Sequence, residues 1–280
     1  MTENSSNIVS VLGAGSWGTA LASLLQKQGL AVRLWTRDEK SAKNLTCREE
    51  NVKYLPSAHL SNILISADLS RVLEGCERIV VAVPGAAVIE LAEQVGPLLL
   101  PNAVIISGTK GLHPDRGLRP AQIWEQSAKL SLERYAAWSG PNLAKEIVSG
   151  VPSSTVVASL NPAVAQDAQR LFGSRSFRVY TNDDLIGVEL GGALKNVVAI
   201  AAGISDGFGF GDNSKAALLT RAWHEMTRLA VAMGARQSTL YGLSGIGDLF
   251  AIRIQVVDDL DQDRPQLALL YLIEQNGAGT

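Results

Sequence analysis

The sequence predicts an α/β protein in which a mostly parallel sheet covered by helices is followed by a smaller all-helical domain. Two observations carry this prediction. In the first part of the chain, short apolar runs alternate with stretches of helical periodicity, and a glycine-rich segment follows the first run. After about residue 182 the strand-like runs stop and two long helical patterns follow. We therefore expect a dinucleotide-binding, Rossmann-type domain over residues 1–182 and a smaller helical domain over residues 183–280.

The predicted strands are short apolar runs bounded by turn residues. They cover residues 8–12, 31–35, 63–65, 78–83, 103–107, 136–139 and 155–159. Helical stretches between them include residues 17–28, 88–95 and 162–172, and Gly29 is suited to end the first of these. In the second part, Asp183 or Asp184 can cap a helix that runs towards Gly203. Apolar positions then recur at a helical period over residues 214–233.

The composition narrows the class of protein. The formal net charge is −2, so charge favours neither nucleic acid nor an anionic membrane as a partner. Cys47 and Cys76 form no metal-binding or redox spacing, and no metal site is expected. The N-terminus lacks a signal-peptide pattern, and charged residues interrupt the one apolar stretch of membrane-spanning length, residues 186–204. We expect a cytoplasmic protein, and a homodimer is left open as its assembly.

The glycine-rich segment follows the first strand directly. Gly13, Gly15 and Gly18 stand in a G-x-G-x-x-G pattern that opens a helix. In this context the first glycine makes a tight turn, the second lets the backbone approach a pyrophosphate, and the third allows close helix–strand packing. The unpaired N–H groups at the helix start suit the anion. The pattern therefore predicts a dinucleotide cofactor.

The end of the second strand bears on the choice of cofactor. Asp38 could hold a ribose hydroxyl, as in NAD-binding proteins, whereas Arg37 could pair with the 2′-phosphate of NADP. The alternative is that both are ordinary solvated charges. We expect use of both NAD and NADP, with NADP favoured.

Three turns are expected beyond the carboxyl ends of the strands, where ligands gather in an open parallel sheet. They follow the strands at 78–83, 103–107 and 136–139. The second carries Lys110 between glycines, a cation on a stiff turn unless it is an ordinary surface lysine. The third carries Gly140, Pro141 and Asn142, with Pro141 suited to the first position of a helix whose free N–H groups could bind an anion.

An apolar helix with a lysine in its middle is the second chemical signal. Between Leu190 and Gly203 almost every residue is small or apolar, yet Lys195 and Asn196 lie among them. Burial disfavours the charge of a lysine and lowers its pKa, which enables it to give or take a proton near neutral pH. The alternative is a core helix whose lysine reaches solvent along its own stem.

The face around Lys195 favours the chemical interpretation. Small residues dominate this predicted face, which comprises Val188, Gly191, Gly192, Ala199 and Ala202. Because glycines in a helix cost about 1 kcal/mol each, we expect them to leave a shallow channel for a cofactor or substrate. With the glycine turn, this indicates hydride transfer to a carbonyl, with Lys195 handling the alcohol proton.

Six segments, taken in order, give the chain a specific resemblance over about residues 7–250. They read GAGSWGTALA, SGTKGL, SGPNLAKEI, GVELGGALKN, DGFGFGDNSKAALLTRAWHEM and GLSGIGDL. The chain resembles the bacterial NAD(P)-dependent glycerol-3-phosphate dehydrogenases. The resemblance implies reversible reduction of dihydroxyacetone phosphate to sn-glycerol 3-phosphate, which feeds glycerophospholipid synthesis.

The resemblance also implies roles for individual residues. Lys195 would be the proton donor and acceptor, and Asp248 would orient it or the substrate hydroxyls. The cofactor would be contacted by Gly13, Gly15, Ser16, Trp17, Gly18, Arg37, Tyr54, Lys110 and Ala144. The substrate would be contacted by Lys110, Gly140, Asn142, Lys195 and Asp248, of which Lys110 also counts among the catalytic residues. The family often has a hydroxyl residue where Asn142 stands.

Beyond Phe250 the sequence departs from the family's pattern. The family continues with a Ser-Arg-Asn motif whose arginine meets phosphate, whereas Arg253 and Arg264 here stand in other contexts. A bidentate guanidinium is a strong partner for a phosphate. Because the similarity to the family is lost abruptly, we expect a truncation or a shifted reading frame near residue 250, which would leave the helical domain incomplete. A search of the other two frames of the coding DNA for the motif tests this.

Two alternatives to this enzyme stay open at the level of sequence. One is a related β-hydroxyacid dehydrogenase, which would turn over a carboxylate rather than a phosphate substrate. The other is a catalytically impaired dinucleotide-binding protein that lacks the phosphate-binding motif. It would bind the cofactor without oxidising it in the presence of dihydroxyacetone phosphate.

Overall fold

The computed structural model describes residues 8–251 of the chain. The expectations for the segment after Phe250 concern residues from 252 onwards, among them Arg253 and Arg264, and these lie outside the described residues.

An eight-stranded sheet forms the larger part of the molecule. Its order is β10-β9-β8-β7-β6-β1-β2-β5, and every neighbouring pair is parallel except β8 and β9. The strands are β1 (Ile8–Leu12), β2 (Ala31–Trp35), β5 (Leu64–Ser66), β6 (Arg78–Val81), β7 (Val104–Ser107), β8 (Tyr135–Ser139), β9 (Ser153–Ala158) and β10 (Phe177–Asn182). A hairpin of β3 (Glu50–Asn51) and β4 (Leu55–His59) stands apart from this sheet.

Helices cover both faces of the sheet and bury two apolar cores. They are α1 (Ser16–Lys27), α2 (Glu39–Arg48), α3 (Leu69–Leu73), α4 (Val88–Val95), α5 (Pro120–Ser127), α6 (Ala144–Val148) and α7 (Pro162–Phe172). Strand β1 is buried along its whole length, as expected for a central parallel strand. Its one polar side chain, Ser10, donates to the carbonyl of Val72, so the core holds no unpaired hydroxyl at this point.

The second part of the described chain is helical. It contains α8 (Leu185–Gly207), α9 (Gly211–Ala232), α10 (Gln237–Leu240) and a wide helical turn at Leu243–Gly247. Asp184 caps α8 by accepting from the N–H of Gly187, and Arg236 bonds the same carboxylate. Of the two aspartates expected as caps, Asp184 is therefore the one used.

One helix of the described chain, α8, is long and apolar enough by length and composition to cross a membrane, but 61% of its most apolar window is buried inside the protein. It packs against α9, β8 and the helical turn, as a core helix does.

The predicted fold class is confirmed, and all seven predicted strands are present, with ends that differ from the prediction by at most two residues. Three strands escaped the sequence analysis: β10 and both strands of the hairpin. Strand β10 is an edge strand whose residues alternate between buried Phe177 and Val179 and exposed Arg178 and Tyr180. It therefore reads as an alternating pattern rather than as an apolar run.

Candidate active site

The glycine turn after β1 has the geometry that its sequence predicts. Gly13 has a φ of +115°, which favours glycine, and a Cβ there would lie 2.5 Å from the carbonyl oxygen of Ala82. A Cβ on Gly18 would lie 1.8 Å from the carbonyl oxygen of Gly13, so helix and turn pack without room for a side chain. A Cβ on Gly15, by contrast, would have no other atom of the described residues within 4 Å, apart from its neighbours in the chain. The middle glycine thus borders open space, where a pyrophosphate could approach the backbone.

The start of α1 fits an anionic ligand. Its first turn has no acidic residue, and no side chain caps its N–H groups. The hydroxyl of Ser16 donates to the carbonyl of Tyr54 at 2.5 Å, which joins the turn to the β3–β4 hairpin. Ser16 and the half-exposed ring of Tyr54 therefore lie on one side of the glycine turn.

Asn51, which lies in β3, contacts the glycine turn and was not among the predicted site residues. It is buried, and its amide donates to the carbonyl of Ala14 and to the hydroxyl of Thr19 at 2.9 and 2.8 Å. It holds the hairpin on the glycine turn from 37 residues away in sequence. No local pattern marks it, because its strand is only two residues long.

The two candidate residues after β2 have different surroundings. Both carboxylate oxygens of Asp38 are engaged by Ser41 in capping α2, and these hydrogen bonds lower the pKa of Asp38. Arg37 is exposed and forms no hydrogen bond or ion pair with any residue in the described range. Arg37 is therefore the freer of the two to meet a ligand.

Trp17 connects the glycine turn to the loop that carries Lys110. A Cβ on Gly108 would lie 2.5 Å from the indole nitrogen of Trp17, so the ring lies directly against this loop. The other side of Trp17 contacts Trp138 edge to face at 5.4 Å. Ala144, at the start of α6, and Trp17 both pack against the same small apolar cluster, which comprises Ala20, Leu55 and Ala58. The expected cofactor residues Trp17 and Ala144 thus border one cluster, and Trp17 serves in packing as well.

One cluster beyond the carboxyl end of β7 brings together Lys110, Lys195 and Asp248. Asp248 is buried, and its two oxygens face different lysines: Oδ1 lies 2.5 Å from Nζ of Lys195, and Oδ2 lies 2.6 Å from Nζ of Lys110. Lys110 also donates to the carbonyl of Gly140 at 2.9 Å. The three residues come from the loop after β7, from α8 and from the residue after the wide helical turn.

The surroundings of Lys195 lower its pKa from 10.5 to about 8. Desolvation is the largest cause, the neighbouring ammonium of Lys110 adds to it, and the carboxylate of Asp248 opposes both. The side chain of Lys195 is 11% exposed, and that of Lys110 is 26% exposed. A lysine with a pKa of about 8 can act as an acid or a base near neutral pH.

The loop after β8 contributes polar groups beside this cluster. Gly140 has a φ of +137°, and the amide nitrogen of Asn142 donates to the hydroxyl of Thr155 at 3.1 Å. Among the described residues, neither Oδ1 of Asn142 nor the hydroxyl of buried Ser139 has a hydrogen-bond partner. Such unpaired polar atoms are costly, and a ligand could satisfy them. Ser139 was not among the predicted site residues.

The expectation that Pro141 opens a helix is wrong: α6 begins at Ala144, because Gly140 turns with a positive φ and Leu143, directly before the helix, is extended. The helix is also only five residues long, which makes it a poor anion site.

The shallow channel expected beside Lys195 is also absent, because protein fills the space at the helix glycines. A Cβ on Gly191 would lie 2.5 Å from the carbonyl oxygen of Ser244, and one on Gly192 would lie 2.5 Å from the hydroxyl of Ser139. Val188, Ala199 and Ala202 on the same face are buried as well. These glycines let the wide helical turn and β8 approach α8, which is how Asp248 reaches Lys195.

No group of three or more histidine, cysteine, aspartate or glutamate side chains suited to a metal ion occurs within residues 8–251.

The glycine turn after β1 and the Lys110 loop after β7 both lie at the carboxyl ends of parallel strands, which is where Rossmann-type proteins bind dinucleotides. Comparison with known proteins gives the family. The N-terminal model of the NAD-dependent glycerol-3-phosphate dehydrogenases matches residues 8–165, and the C-terminal model matches residues 184–255. The chain belongs to the NAD-dependent glycerol-3-phosphate dehydrogenase family.

Individual relatives agree with this. Glycerol-3-phosphate dehydrogenase [NAD(P)+] of Pelotomaculum thermopropionicum is 46% identical over 86% of this chain and 70% of its own length. That of Carboxydothermus hydrogenoformans is 43% identical over 86% of this chain and 72% of its own length. The crystal structure of glycerol-3-phosphate dehydrogenase from Coxiella burnetii matches with a TM-score of 0.85 and 35% identity, covering 97% of this chain and 88% of that one.

Proposed function

We infer that this protein is an oxidoreductase that catalyses the reversible NAD(P)H-dependent reduction of dihydroxyacetone phosphate to sn-glycerol 3-phosphate. The observation that carries the chemistry is the buried lysine with a pKa of about 8, held by a carboxylate at the carboxyl edge of the sheet. Membership of the family supports NAD or NADP as the cofactor. The comparisons lend no support to a catalytically impaired protein.

The glycine turn and its neighbours would hold the cofactor. Gly15 borders the open space for the pyrophosphate, Gly13 and Gly18 shape the turn, and Ser16 and Tyr54 close one side of it. Trp17 and Ala144 would contact the cofactor between this turn and the lysine cluster, and the exposed Arg37 would meet a 2′-phosphate. When bound, the nicotinamide supplies or accepts the hydride.

Lys195 would supply the proton. In the reducing direction its ammonium donates a proton to the carbonyl oxygen that becomes the alcohol, and in the oxidising direction its neutral amine accepts that proton. An ammonium group has three N–H donors, of which Asp248 occupies one on Lys195. The remaining donors are available to the substrate, while Asp248 fixes the direction of the amine.

Lys110 would bind the substrate and complete the cluster. Asp248 and Gly140 take two of its three N–H donors, which leaves one for the ligand. Two lysines around one carboxylate carry a net charge of +1, which suits an anionic phosphate ester. Gly140 and Asn142 line the same place, with the free amide oxygen of Asn142 as an acceptor for a substrate hydroxyl.

We also propose that the chain divides at residues 182 and 183, with the glycine turn in the first domain and Lys195 and Asp248 in the second. The protein would work in the cytoplasm, where its product enters glycerophospholipid synthesis. A homodimer stays a prediction, which light scattering of the purified chain tests.

The function is tested by following the absorbance of NADH and of NADPH with dihydroxyacetone phosphate as the substrate. We expect oxidation of both cofactors, and much slower oxidation with dihydroxyacetone, which lacks the phosphate. Lys195→Met should abolish turnover, whereas Lys43→Met, which changes an exposed lysine on α2, should leave it unchanged. Equal turnover with the two ketones, or full activity of Lys195→Met, would refute the assignment.

A further inference from the structure

A buried carboxylate that this mechanism does not use lies on α8, six residues before Lys195. Glu189 is 7% exposed and accepts three hydrogen bonds. Arg119 donates to Oε2 at 2.7 Å, while the N–H of Ala121 and the hydroxyl of Tyr135 donate to Oε1 at 2.8 and 3.0 Å. An acidic side chain is rarely buried unless it is paired, and here the three donors offset the cost of burying the carboxylate.

The partners of Glu189 belong to the segments that carry the site. Tyr135 opens β8, the strand that leads to Gly140. Arg119 and Ala121 lie at the start of α5, where the segment that follows Lys110 ends. Glu189 therefore joins the helix of one lysine to the loops of the other lysine and of its carbonyl partner.

The side chain of Ser107 brings a fourth segment into this network. It interacts with the hydroxyl of Tyr135, whose pKa it lowers, and it lies at the end of β7, three residues before Lys110. Burial raises the pKa of Tyr135 well above 10, so its hydroxyl stays a donor at neutral pH. Burial also raises the pKa of Glu189, but the guanidinium of Arg119 and the two other donors oppose this.

Glu189 and Lys195 lie on the same helix, so contacts that fix Glu189 also fix the position of Lys195. Six residues of helix span about 9 Å, a distance over which a helix is stiff. The cluster at Lys195 has tight dimensions, with both ammonium groups within 2.6 Å of Asp248. A slide of α8 along β8 would therefore displace Lys195 from its contact with Asp248.

We propose that Glu189 is a positioning residue: its buried contacts with Arg119, Ala121 and Tyr135 fix α8 so that Lys195 meets the reacting oxygen. The inference rests on the proposed function, because it takes Lys195 as the proton donor. A misplacement of about 1 Å can cost about a hundredfold in rate. The loss of Glu189 should therefore act on the chemical step rather than on cofactor binding.

A purely structural role of Glu189 predicts a different result. It would reduce the amount of folded enzyme but leave the turnover of each folded site unchanged. The Arg78–Asp167 pair offers a control, since it also joins an arginine to a carboxylate at 2.7 Å, and Arg78 begins β6, at the end of the strand opposite to the site. Asp167→Asn should therefore lower stability without changing the turnover of each site.

The experiment compares full-length parent, Glu189→Gln, Tyr135→Phe, Asp167→Asn and Lys195→Met proteins. Active sites are counted by titration with NADH fluorescence, which also gives the dissociation constant of the cofactor. Turnover of dihydroxyacetone phosphate is then measured per site with NADH and with NADH deuterated at the transferred position. The isotope effect reports the chemical step and does not depend on the fraction of folded protein.

We expect Glu189→Gln to lower kcat per site about 10–100-fold, with a larger isotope effect and an NADH dissociation constant within about twofold of the parent. Tyr135→Phe should change both quantities in the same direction by less, and it carries the test if Glu189→Gln does not fold. An unchanged kcat per site or an unchanged isotope effect in the variant that carries the test overturns the proposal. Parental turnover by Lys195→Met would instead overturn the proposed function, whatever Glu189→Gln does.

Discussion

Replacing Lys195 by methionine should abolish activity and yet stabilise the folded protein. The cluster holds two ammonium groups around one carboxylate, so its net charge is +1 and one positive charge has no counter-ion. Lys195→Met leaves Lys110 and Asp248 as a balanced pair. Methionine also fills a site that is 11% exposed with an apolar chain of similar length.

The magnitude follows from the pKa of Lys195. A pKa lowered from 10.5 to about 8 means that the charged lysine costs the folded state roughly 3 kcal/mol at pH 7. Leaving Oδ1 of Asp248 without its donor costs about 1–2 kcal/mol in return. The net gain in the free energy of unfolding should therefore be about 1–2 kcal/mol.

The pH dependence gives this prediction a sign that can be checked. Below pH 8 the lysine is charged in both the folded and the unfolded state, so its full cost is present. Between about pH 8 and 10.5 the folded protein loses the proton first, and the cost is relieved. The advantage of Lys195→Met over the parent should shrink across this range.

Urea unfolding of both proteins at pH 7 and at pH 10, followed by circular dichroism, measures these differences. Lys43→Met serves as the control for a lysine-to-methionine change at an exposed position. A Lys195→Met protein that is less stable than the parent at pH 7 would refute the reasoning, as would an advantage that is the same at both pH values.

Three further predictions concern other parts of the site. Asp248→Asn should act in the opposite direction to Lys195→Met: it leaves two like charges without a counter-ion, so urea unfolding should show a loss of about 3 kcal/mol, and the pKa of Lys195 in the rate profile should fall below its parental value. Gly15→Ala should keep the fold but weaken NADH binding more than about tenfold, as measured by fluorescence titration. Gly18→Ala should instead lower the melting temperature, because a Cβ there would lie 1.8 Å from a carbonyl oxygen. Arg37→Ala should raise KM for NADPH about tenfold and change KM for NADH little, and equal effects on the two cofactors would show that this arginine does not read the 2′-phosphate.

The fold was predictable where the cause is local. A central parallel strand is buried on both faces and appears in the sequence as an apolar run, and β1 was found in this way with its observed ends. Strand β2 is only partly buried, but its short run between turn residues was found with its observed ends as well. The β3–β4 hairpin could not be found in this way. Its first strand has two residues, and what holds it is the contact of Asn51 with the glycine turn, distant in sequence.

The site was predictable to the same extent. The three roles of the glycine turn follow from local backbone geometry, and each agrees with the space around Gly13, Gly15 and Gly18. The small residues around Lys195 were misinterpreted because a helical face reveals that something lies close, but not what it is. Here it is the backbone of Ser244 and the side chain of Ser139.

The partners of the lysines were beyond the reach of spacing arguments. Asp248 lies 53 residues from Lys195 and 138 residues from Lys110, and no periodicity links the three. The family resemblance supplied Asp248 as a candidate, and the fold brings it between the two lysines. Glu189 drew no attention as a functional residue, because its partners likewise come from distant segments.

The central claim is that Lys195 transfers the proton that accompanies hydride transfer, and the pH dependence of both directions on one preparation tests it most directly. The measurement is kcat/KM for dihydroxyacetone phosphate with NADH and for sn-glycerol 3-phosphate with NAD, from pH 6.5 to 9.5. With a pKa of about 8, reduction should fall as the pH rises through 8, because the ammonium is lost, and oxidation should rise over the same range. Profiles that are flat in both directions, or that move in the same direction, would contradict the claim.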